Sequence, residues 1–159
     1  DSRQSRGLGD VYKRQAELRR AEHPYRRILI VGGGNIGAKL ASEIDQEYGV
    51  KLVELDQERA KWLADRLDNT VVIHGNATDR ELLLEENIEQ CDAFCALTND
   101  DEVNIMSSLM AKRLGVRQVI TLITKPAYVD LVQGGEIDVA ISPQQATTGS
   151  VLSLSLIHI

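Results

Sequence analysis

The sequence predicts an α/β fold in which helices cover both faces of a parallel sheet. Short aliphatic runs recur along the chain, and segments with helical periodicity separate them. The runs are almost continuously apolar, as in strands buried on both faces, and Gly, Asn, Asp or Pro bounds each one. Repeated strand–helix–strand crossovers build a doubly wound, Rossmann-like sheet, for which we predict six strands in the order 3-2-1-4-5-6. The predicted strands are 28–31, 50–55, 70–73, 92–97, 118–123 and 138–141.

Helical periodicity places the first helix over 35–48. Ile36, Leu40 and Ile44 recur at intervals of four and share one face, and Gly49 is expected to end this helix. Each later helix lies between two predicted strands, as the crossover connections of a parallel sheet require. These later helices are predicted at 57–67, 80–86, 102–114 and 127–132.

Two helices carry features that bear on the surface of the domain. Asn99 or Asp100 is a candidate N-cap for the helix over 102–114, and Gly115 is expected to end it. Trp62 falls on the polar side of its own helix and is expected to be partly exposed at the surface, with an interface as the alternative. An apolar stripe on the helix over 102–114 contains Met106, Leu109 and Met110. It is expected to face mainly the core, with a dimer contact as the alternative.

Composition limits the classes of function. The 159 residues carry a formal net charge of −6, which argues against nucleic acid as the main partner because phosphate backbones select for Lys and Arg. No apolar run approaches the roughly 18–20 residues that cross a bilayer. Cys91 and Cys95 have a C-x-x-x-C spacing that matches no common zinc pattern. We therefore expect no metal site, and two reduced thiols in a cytoplasmic compartment.

The two ends of the chain differ in character from the regular pattern between them. The opening DSRQSRGLGDVYKRQ has no amphipathic period, and the closing SLSLIHI stops abruptly. We expect 1–15 to be a non-native leader, 16–26 a linker and 154–159 a non-native tail. The folded domain is accordingly expected over 27–153.

The stretch ILIVGGGNIGAKL places a glycine-rich turn between the first strand and the first helix. Gly32, Gly34 and Gly37 fit the motif G-x-G-x-x-G in the strand–turn–helix context that gives it value. The first glycine permits the tight turn, the second lets backbone approach a diphosphate, and the third lets the helix pack on the strand. The N–H groups of the first helical turn would then hold the phosphates. A Walker A loop is excluded, because Lys39 comes one position late and Leu40 follows it.

The end of the second strand supplies the acid that a dinucleotide site requires. Glu54 lies 17 residues after Gly37 and 22 after Gly32. Its carboxylate would accept from both ribose hydroxyls and repel a 2′-phosphate, which favours NAD over NADP. Asp56 is the alternative acid, but we expect it to begin the next helix. An adenosine ribose is common to NAD, ATP and ADP, so Glu54 does not separate them.

Five stretches agree in order and spacing with one known family. They are RRILIVGGGNIG, VKLVELDQERA, HGNATD, ALTNDDEVNIMSSLMAKRLG and KPAYVDLVQGGEIDVAISPQQAT. Together they resemble the RCK (KTN) family of NAD-binding domains, and best the second of the two RCK copies in regulatory subunits of bacterial potassium uptake systems. The resemblance runs from about Ala16 to Ser153. It implies that a smaller C-terminal RCK subdomain follows.

The resemblance implies which residues hold the phosphates and the ribose. The glycine turn corresponds to the family's diphosphate loop, with Asn35 and Ile36 inside it. Glu54 corresponds to the ribose-binding acid. Many relatives carry Arg in the fifth strand near the phosphates, and Leu122 stands at the matching position here. The chain therefore departs from the family pattern at a position that neutralises phosphate charge.

The resemblance also implies contacts for the two bases of NAD. Asn76 and Ala77 fall on the segment that lines the adenine pocket, where the family usually has Asp in place of Asn76. The amide of Asn76 can still accept from the adenine amine. Thr98 and Asn99 end the fourth strand beside the glycine turn, where the nicotinamide half is expected.

A non-enzymatic sensor is the function that the resemblance implies. NAD or NADH binding would favour one arrangement of paired domains over another, and that preference would bias the gate of a membrane protein. The implied partners are a second copy of the chain, a larger ring of such domains, and a membrane-embedded Trk potassium transporter subunit. The implied location is the cytoplasm, at the inner face of the cell membrane.

The cofactor domain of an NAD-dependent dehydrogenase is the main alternative, and a domain that binds ATP is a third. We predict no catalytic residue. His74 ends the third strand, too far from a hydride site, and Lys125 and Tyr128 do not form a Tyr-x-x-x-Lys pair. The acidic run at 99–102 is expected to be a solvated helix start and not a metal site. A catalytic domain downstream would favour the dehydrogenase, and an RCK subdomain would exclude it.

Overall fold

One parallel sheet forms the centre of the domain. Its strands are β1 (Arg27–Val31), β2 (Gly49–Glu54), β3 (Thr70–His74), β4 (Ala93–Ala96), β5 (Gln118–Leu122) and β6 (Val139–Ile141). Their order is β3-β2-β1-β4-β5-β6, which confirms the predicted topology. This computed structural model describes residues 27–146. The predicted leader at 1–15, linker at 16–26 and tail at 154–159 lie outside these residues.

Helices connect successive strands at the predicted places. The helices are α1 (Asn35–Ile44), α2 (Gln57–Arg66), α3 (Arg80–Glu85), α4 (Asp101–Arg113) and α5 (Pro126–Val132), with a short 3₁₀ helix at Ile88–Gln90. Pro126 occupies the first turn of α5, where its missing N–H costs nothing. Asp56, Asp79 and Asp100 cap α2, α3 and α4 with their carboxylates.

Burial on both faces of the sheet explains the continuous apolar runs. Along β1, Ile28 and Ile30 enter one aliphatic cluster, and Leu29 and Val31 enter another. Since successive side chains of a strand point to opposite faces, the two clusters are the two layers between sheet and helices. Leu29 and Ile30 are both 0% exposed. A strand with one solvated face would instead alternate apolar and polar residues.

β1 lies between β2 and β4, and this neighbourhood positions the site. Val31 pairs with Val53 on one side and with Ala96 on the other. The carboxyl ends of β1, β2 and β4 therefore lie side by side at one edge of the sheet. The connection after β1 leads to β2 on one side, and β4 lies on the other side. Such a switch point leaves a crevice between the helices that follow β1 and β4.

The predicted end of the first helix at Gly49 is wrong. α1 ends at Ile44 with Asp45 as its C-cap, and the chain turns so that Tyr48 N donates to Ile44 O at 2.9 Å. Gly49 is the first residue of β2 and pairs with Arg27. The predicted helix was too long because residues 45–48 form a turn, in which Tyr48 packs against the core before β2 begins at Gly49.

The predicted core stripe on α4 is also wrong in part. Met106 is 57% exposed, and Leu109 and Met110 are only half-buried. The face of α4 that meets the sheet consists of small or polar residues: Asn104, Ser107, Ser108 and Ala111. They suit a close approach to β4 and β5, and Thr121 Oγ1 donates to Ser108 Oγ at 2.6 Å across that contact. This hydrogen bond offsets part of the cost of burying the two hydroxyls.

Candidate functional site

A cavity of about 1040 Å³ opens at the carboxyl edge of the sheet, beside the end of β1. Its size is at the upper end of the range for ligand pockets, as a dinucleotide would need. Gly37 does not line it, but every other residue predicted from the sequence to bind the nucleotide does. Those lining residues are Gly32, Gly34, Asn35, Ile36, Glu54, Asn76, Ala77, Thr98 and Asn99. Their contacts with a ligand stay predictions.

Contacts within the glycine turn explain why each glycine stands where it does. Gly32 has φ +100°, and its N–H donates to Val53 O at 2.9 Å. A Cβ on Gly37 would lie 1.9 Å from Gly32 O, so α1 packs directly on the turn. A Cβ on Gly33 would meet Leu63 Cδ1 at 2.2 Å. Sequence analysis gave no role to Gly33, because its requirement comes from α2, a distant part of the chain.

The N-terminus of α1 faces the cavity without a side-chain cap. Gly34 occupies the N-cap position in an extended conformation, and no side chain there accepts a hydrogen bond. The first turn contains no acidic residue. A Cβ on Gly34 would meet no atom within 4 Å. The N–H groups of this turn and the positive end of the helix dipole therefore point into open space, which favours an anion.

Glu54 is half-buried at the end of β2 and lines the cavity. Its Oε2 accepts a hydrogen bond from Leu55 N at 3.0 Å, which fixes one carboxylate oxygen. The rival acid, Asp56, accepts from Glu58 N at 3.0 Å and from Arg59 N at 3.4 Å as the N-cap of α2. The expectation that Asp56 begins the next helix is confirmed, and Glu54 keeps the ribose role as a prediction.

Asn76 uses its side-chain oxygen within its own loop. Asn76 Oδ1 accepts from Thr78 N at 3.0 Å and from Thr78 Oγ1 at 2.7 Å. An amide oxygen has two lone pairs, and these bonds employ both. The predicted bond from the adenine amine would therefore have to displace one of them. The neighbouring Ala77 is buried and packs into the core beneath the cavity.

Asn104 holds the wall of the cavity opposite Glu54, and sequence analysis missed it. Its Oδ1 accepts from Thr98 N at 3.0 Å and Thr98 Oγ1 at 2.6 Å, and its Nδ2 donates to Thr98 O at 3.0 Å and Leu122 O at 2.9 Å. The residue is 0% exposed. This side chain ties α4 to the ends of β4 and β5. The available signal was an Asn on the same helical face as Ser107, Ser108 and Ala111.

Asp101 makes a second buried tie next to Asn104. It is 3% exposed, and its carboxylate accepts from Thr124 N at 3.0 Å and Lys125 N at 2.9 Å. Two backbone donors compensate the desolvation of the charge. The loop between β5 and α5, whose Thr124 lines the cavity, is thereby anchored to the start of α4.

Arg59 lines the cavity, and sequence analysis gave it no role. Its Nε donates to Gly33 O at 2.7 Å across the cavity mouth. It is the one Lys or Arg among the described residues that line the cavity, against three carboxylates on Glu54, Asp56 and Asp100. A basic residue in the first turn of the helix after the ribose acid was the signal that could have identified it.

The shifted pKa values lie outside the cavity lining. The Tyr128 hydroxyl donates to Glu102 Oε1 at 2.7 Å and lowers the pKa of Glu102 to about 2. The Glu102 carboxylate in turn raises the pKa of Lys125. Burial raises the pKa of the Cys91 thiol to about 11 and that of Cys95 to about 12, and the two cysteines are not disulfide-bonded. These thiols are protonated and unreactive at neutral pH.

Residues 27–146 contain neither a metal-binding cluster nor a helix that could cross a membrane. No cluster of three His, Cys, Asp or Glu side chains is placed to hold a metal ion. No helix in this range has the length and apolar character needed to cross a membrane.

Comparison with known proteins identifies related sequences and folds. The family model described as TrkA-N domain matches residues 28–143. The "Trk system potassium uptake protein TrkA" of Halomonas elongata is 62% identical over 144 residues, which cover 91% of this chain and 32% of that protein. The chain spans about a third of the length of the curated relatives it matches.

Solved structures show the same fold at low sequence identity. The NAD(P)-binding domain of an exopolyphosphatase-related protein from Archaeoglobus fulgidus has a TM-score of 0.67 and 17% identity, covering 82% of this chain and 96% of that one. The GsuK channel bound to NAD has a TM-score of 0.64 and 19% identity, covering 74% of this chain and 21% of that one.

Proposed function

The chain belongs to the TrkA-N domain family, and on that premise we propose that it is a nucleotide-binding regulatory domain of a potassium uptake system. NAD or NADH is the proposed ligand, with ATP and ADP as competitors for the same cavity. The Halomonas elongata relative is named as a potassium uptake protein, and GsuK, which has this fold, has been solved bound to NAD. Both names support the proposal.

The open N-terminus of α1 is the observation that carries the proposal. Unpaired N–H groups at a helix start cost stability unless water or a ligand satisfies them. An Asp side chain caps α2, α3 and α4, and α5 starts with Pro126, which has no N–H; α1 has no cap and directs its N–H groups into a cavity of about 1040 Å³. A diphosphate supplies the acceptors and the negative charge that this helix end lacks.

The rest of the ligand follows from the position of the diphosphate. With the phosphates on the glycine turn, Glu54 at the end of β2 would accept from the ribose hydroxyls, and the adenine would lie towards Asn76 and Ala77. The other half of the dinucleotide would extend past the end of β4 to Thr98 and Asn99. This path runs across the switch point from β2 through β1 to β4, as open α/β sheets bind dinucleotides.

Regulation would arise from a difference in ligand affinity between two assemblies. We propose that the domain pairs with a second copy, that pairs form a larger ring, and that the ring contacts a membrane-embedded Trk potassium transporter subunit at the cytoplasmic face. A nucleotide shifts such an equilibrium only by its preference for one arrangement. The pairing supplies the second state that a sensor requires.

No catalytic step is proposed for the cavity. Among the described residues that line it there is no His, Lys, Cys or Tyr. His74 lies at the end of β3 with Nε2 3.1 Å from Leu55 O, and is not part of the lining. The dehydrogenase alternative would have to bring its proton donor from another part of the protein.

Calorimetric titration of the 159-residue chain with NADH, NAD, NADP, ATP and ADP tests the proposal. We expect NAD or NADH to bind and NADP to bind about tenfold more weakly, because the Glu54 carboxylate repels a 2′-phosphate. Glu54→Ala should weaken NAD binding by about tenfold or more, since it removes hydrogen bonds to a charged acceptor. It should also narrow the gap between NAD and NADP.

Glu43→Ala is the matched control, because Glu43 is exposed on α1 and does not line the cavity. Its titration should match that of the wild type. Sedimentation velocity on the same samples tests the regulatory part: NADH should shift the distribution of assemblies in the wild type and in Glu43→Ala, but not in Glu54→Ala. Equal affinity for all five nucleotides would contradict the sensor, and an unchanged Glu54→Ala would contradict the ribose contact.

A further inference from the structure

On α2, the guanidinium of Arg59 stacks on the indole ring of Trp62, and neither side chain belongs to the hydrophobic core. The guanidinium carbon of Arg59 lies 4.3 Å from the centroid of the Trp62 ring, and that of Arg66 lies 3.8 Å from it. Trp62 is 41% exposed, so its indole lies at the surface, in contact with two cations. An indole stacked in this way restricts the guanidinium through cation–π attraction.

The stacked guanidinium is also bound to the glycine turn. Arg59 Nε donates to Gly33 O at 2.7 Å, and Arg59 is half-buried. Arg has five N–H donors in a fixed planar arrangement, the guanidinium fork, and the bond to Gly33 O uses only the one on Nε. The donors on the two terminal nitrogens stay free, and two contacts fix their direction. The Gly33 carbonyl supplies the first constraint, and the Trp62 face supplies the second. The fork is therefore pre-organised at the mouth of the cavity.

The charges that line the cavity indicate what the Arg59 guanidinium can do there. Glu54, Asp56 and Asp100 line the cavity with three carboxylates, and Arg59 is the one cation among the described lining residues. Leu122 lines the opposite side and brings no charge. A diphosphate adds further negative charge to a crevice that is already acidic, and backbone N–H groups carry only partial charges. One full positive charge beside the turn offsets that repulsion.

We propose that Arg59 binds the 5′-diphosphate of the nucleotide held at the glycine turn, and that Trp62 is the positioning residue that holds its guanidinium there. This assignment rests on the proposed nucleotide-binding function and names the side chain that neutralises the ligand. The 5′-diphosphate is favoured over a 2′-phosphate, because Arg59 is bonded to the turn itself and Glu54 disfavours a second anion on the ribose. An Arg, unlike a Lys, can bind two phosphate oxygens at once.

Titrating four ligands into Arg59→Met separates this role from a structural one. The ligands are NAD, ADP, NADP and adenosine, which lacks phosphate. We expect Arg59→Met to bind NAD and ADP about 10- to 50-fold more weakly than the wild type, and to bind adenosine within about twofold. Arg59→Lys should recover part of the loss, since it keeps the charge without the fork.

Arg66→Met is the matched control for charge and stacking. Arg66 lies on the same helix and also contacts the Trp62 ring, but it does not line the cavity. Its affinities for NAD and ADP should stay within about twofold of the wild type. Equal losses in Arg59→Met and Arg66→Met would show a general charge effect and overturn the assignment. If Arg59→Met lost affinity only for NADP, Arg59 would bind the 2′-phosphate and not the 5′-diphosphate. If it also lost affinity for adenosine, Arg59 would have a structural role.

Trp62 is tested by its effect on the same ligands. Trp62→Ala should weaken NAD and ADP binding about two- to fivefold without changing adenosine binding, and Trp62→Phe should restore most of the loss because a phenyl face also attracts a cation. Trp62 is the single tryptophan of the chain. Its fluorescence in the wild type should therefore change on NAD or ADP binding and stay constant with adenosine.

The outcomes distinguish this inference from the proposed function. A wild type that binds none of the four ligands contradicts both. A wild type that binds NAD, with Arg59→Met indistinguishable from it, contradicts the role of Arg59 alone. Trp62→Phe behaving like Trp62→Ala contradicts the positioning role of the aromatic face.

Discussion

The N-termini of α1 and α4 lie at the same edge of the sheet, after the neighbouring strands β1 and β4, yet their chemistry is opposite. α1 begins at Gly34, with no side-chain cap and no acidic residue in its first turn. α4 begins at Asp100, whose carboxylate accepts from Glu102 N and Val103 N, and its first turn adds Asp101 and Glu102. The start of α1 has no side-chain cap, whereas the side chain of Asp100 caps the start of α4.

The difference shows how the residue at the cap position separates an open wall of the cavity, at the start of α1, from a supporting wall at the start of α4. The closed end of α4 holds its neighbours in place through Asn104 and Asp101, which bond to the ends of β4 and β5. The open end of α1 makes no such bonds. Because both helices follow strands that pair with each other, this division depends on side chains and not on topology.

Gly37→Ala should cause the largest loss of free energy, because the added methyl group pushes α1 away from the glycine turn on which it packs. The new Cβ would lie 1.9 Å from Gly32 O, a backbone atom that cannot rotate away. We expect a loss of about 3 kcal/mol in the free energy of unfolding, measured by urea denaturation. Gly34→Ala is the control: its Cβ meets no atom within 4 Å, so it should cost less than about 1 kcal/mol. Equal losses in the two variants would contradict the packing role of Gly37.

Gly34→Asp should come next, because it gives α1 the kind of start that α4 has. The extended backbone at Gly34 accepts an Asp, whose carboxylate would cap α1 and occupy the anion position. We expect about a 100-fold loss of NAD affinity by calorimetry, or about 2.7 kcal/mol, with stability raised by a few tenths of a kcal/mol.

Gly34→Asn distinguishes the effect of capping α1 from the effect of the added negative charge. It caps the same N–H groups without a negative charge, so its loss of affinity should be about tenfold. If Gly34→Asp bound NAD as tightly as the wild type does, the open end of α1 could not be where the phosphates bind.

Asn104→Ala should have the smallest effect of the three and acts on the supporting wall. It leaves the Thr98 N–H and the Leu122 carbonyl without their partner. We expect the free energy of unfolding to fall by about 2 kcal/mol and NAD affinity to fall a few-fold, as Thr98 loses its position. Asn69→Ala, an exposed substitution, should change stability by less than about 0.5 kcal/mol. Similar stability in both variants would show that Asn104 does not hold the wall.

Sequence-based predictions were correct where the local residue pattern alone determines the structure. The strand order, the glycine turn with φ +100° at Gly32, the cap at Asp100 and the stop at Gly115 with φ +110° were all predictable from residue type and spacing. The prediction failed on α4, where Met106 looked like core and is 57% exposed. An apolar stripe does not say which face a helix turns inward, because Asn104, Ser107 and Ser108 can also be buried when their hydrogen bonds are satisfied.

The sequence by itself determined a doubly wound sheet with a glycine turn at its switch point, because strand patterning, crossover handedness and glycine geometry are local properties of the chain. The tertiary structure alone decided that Arg59 reaches Gly33, that Asn104 bridges Thr98 and Leu122, and that Gly33 must leave room for Leu63. Each of these contacts joins residues from different elements. Their partners are set by how helices pack on the sheet, and spacing along the chain does not record that packing.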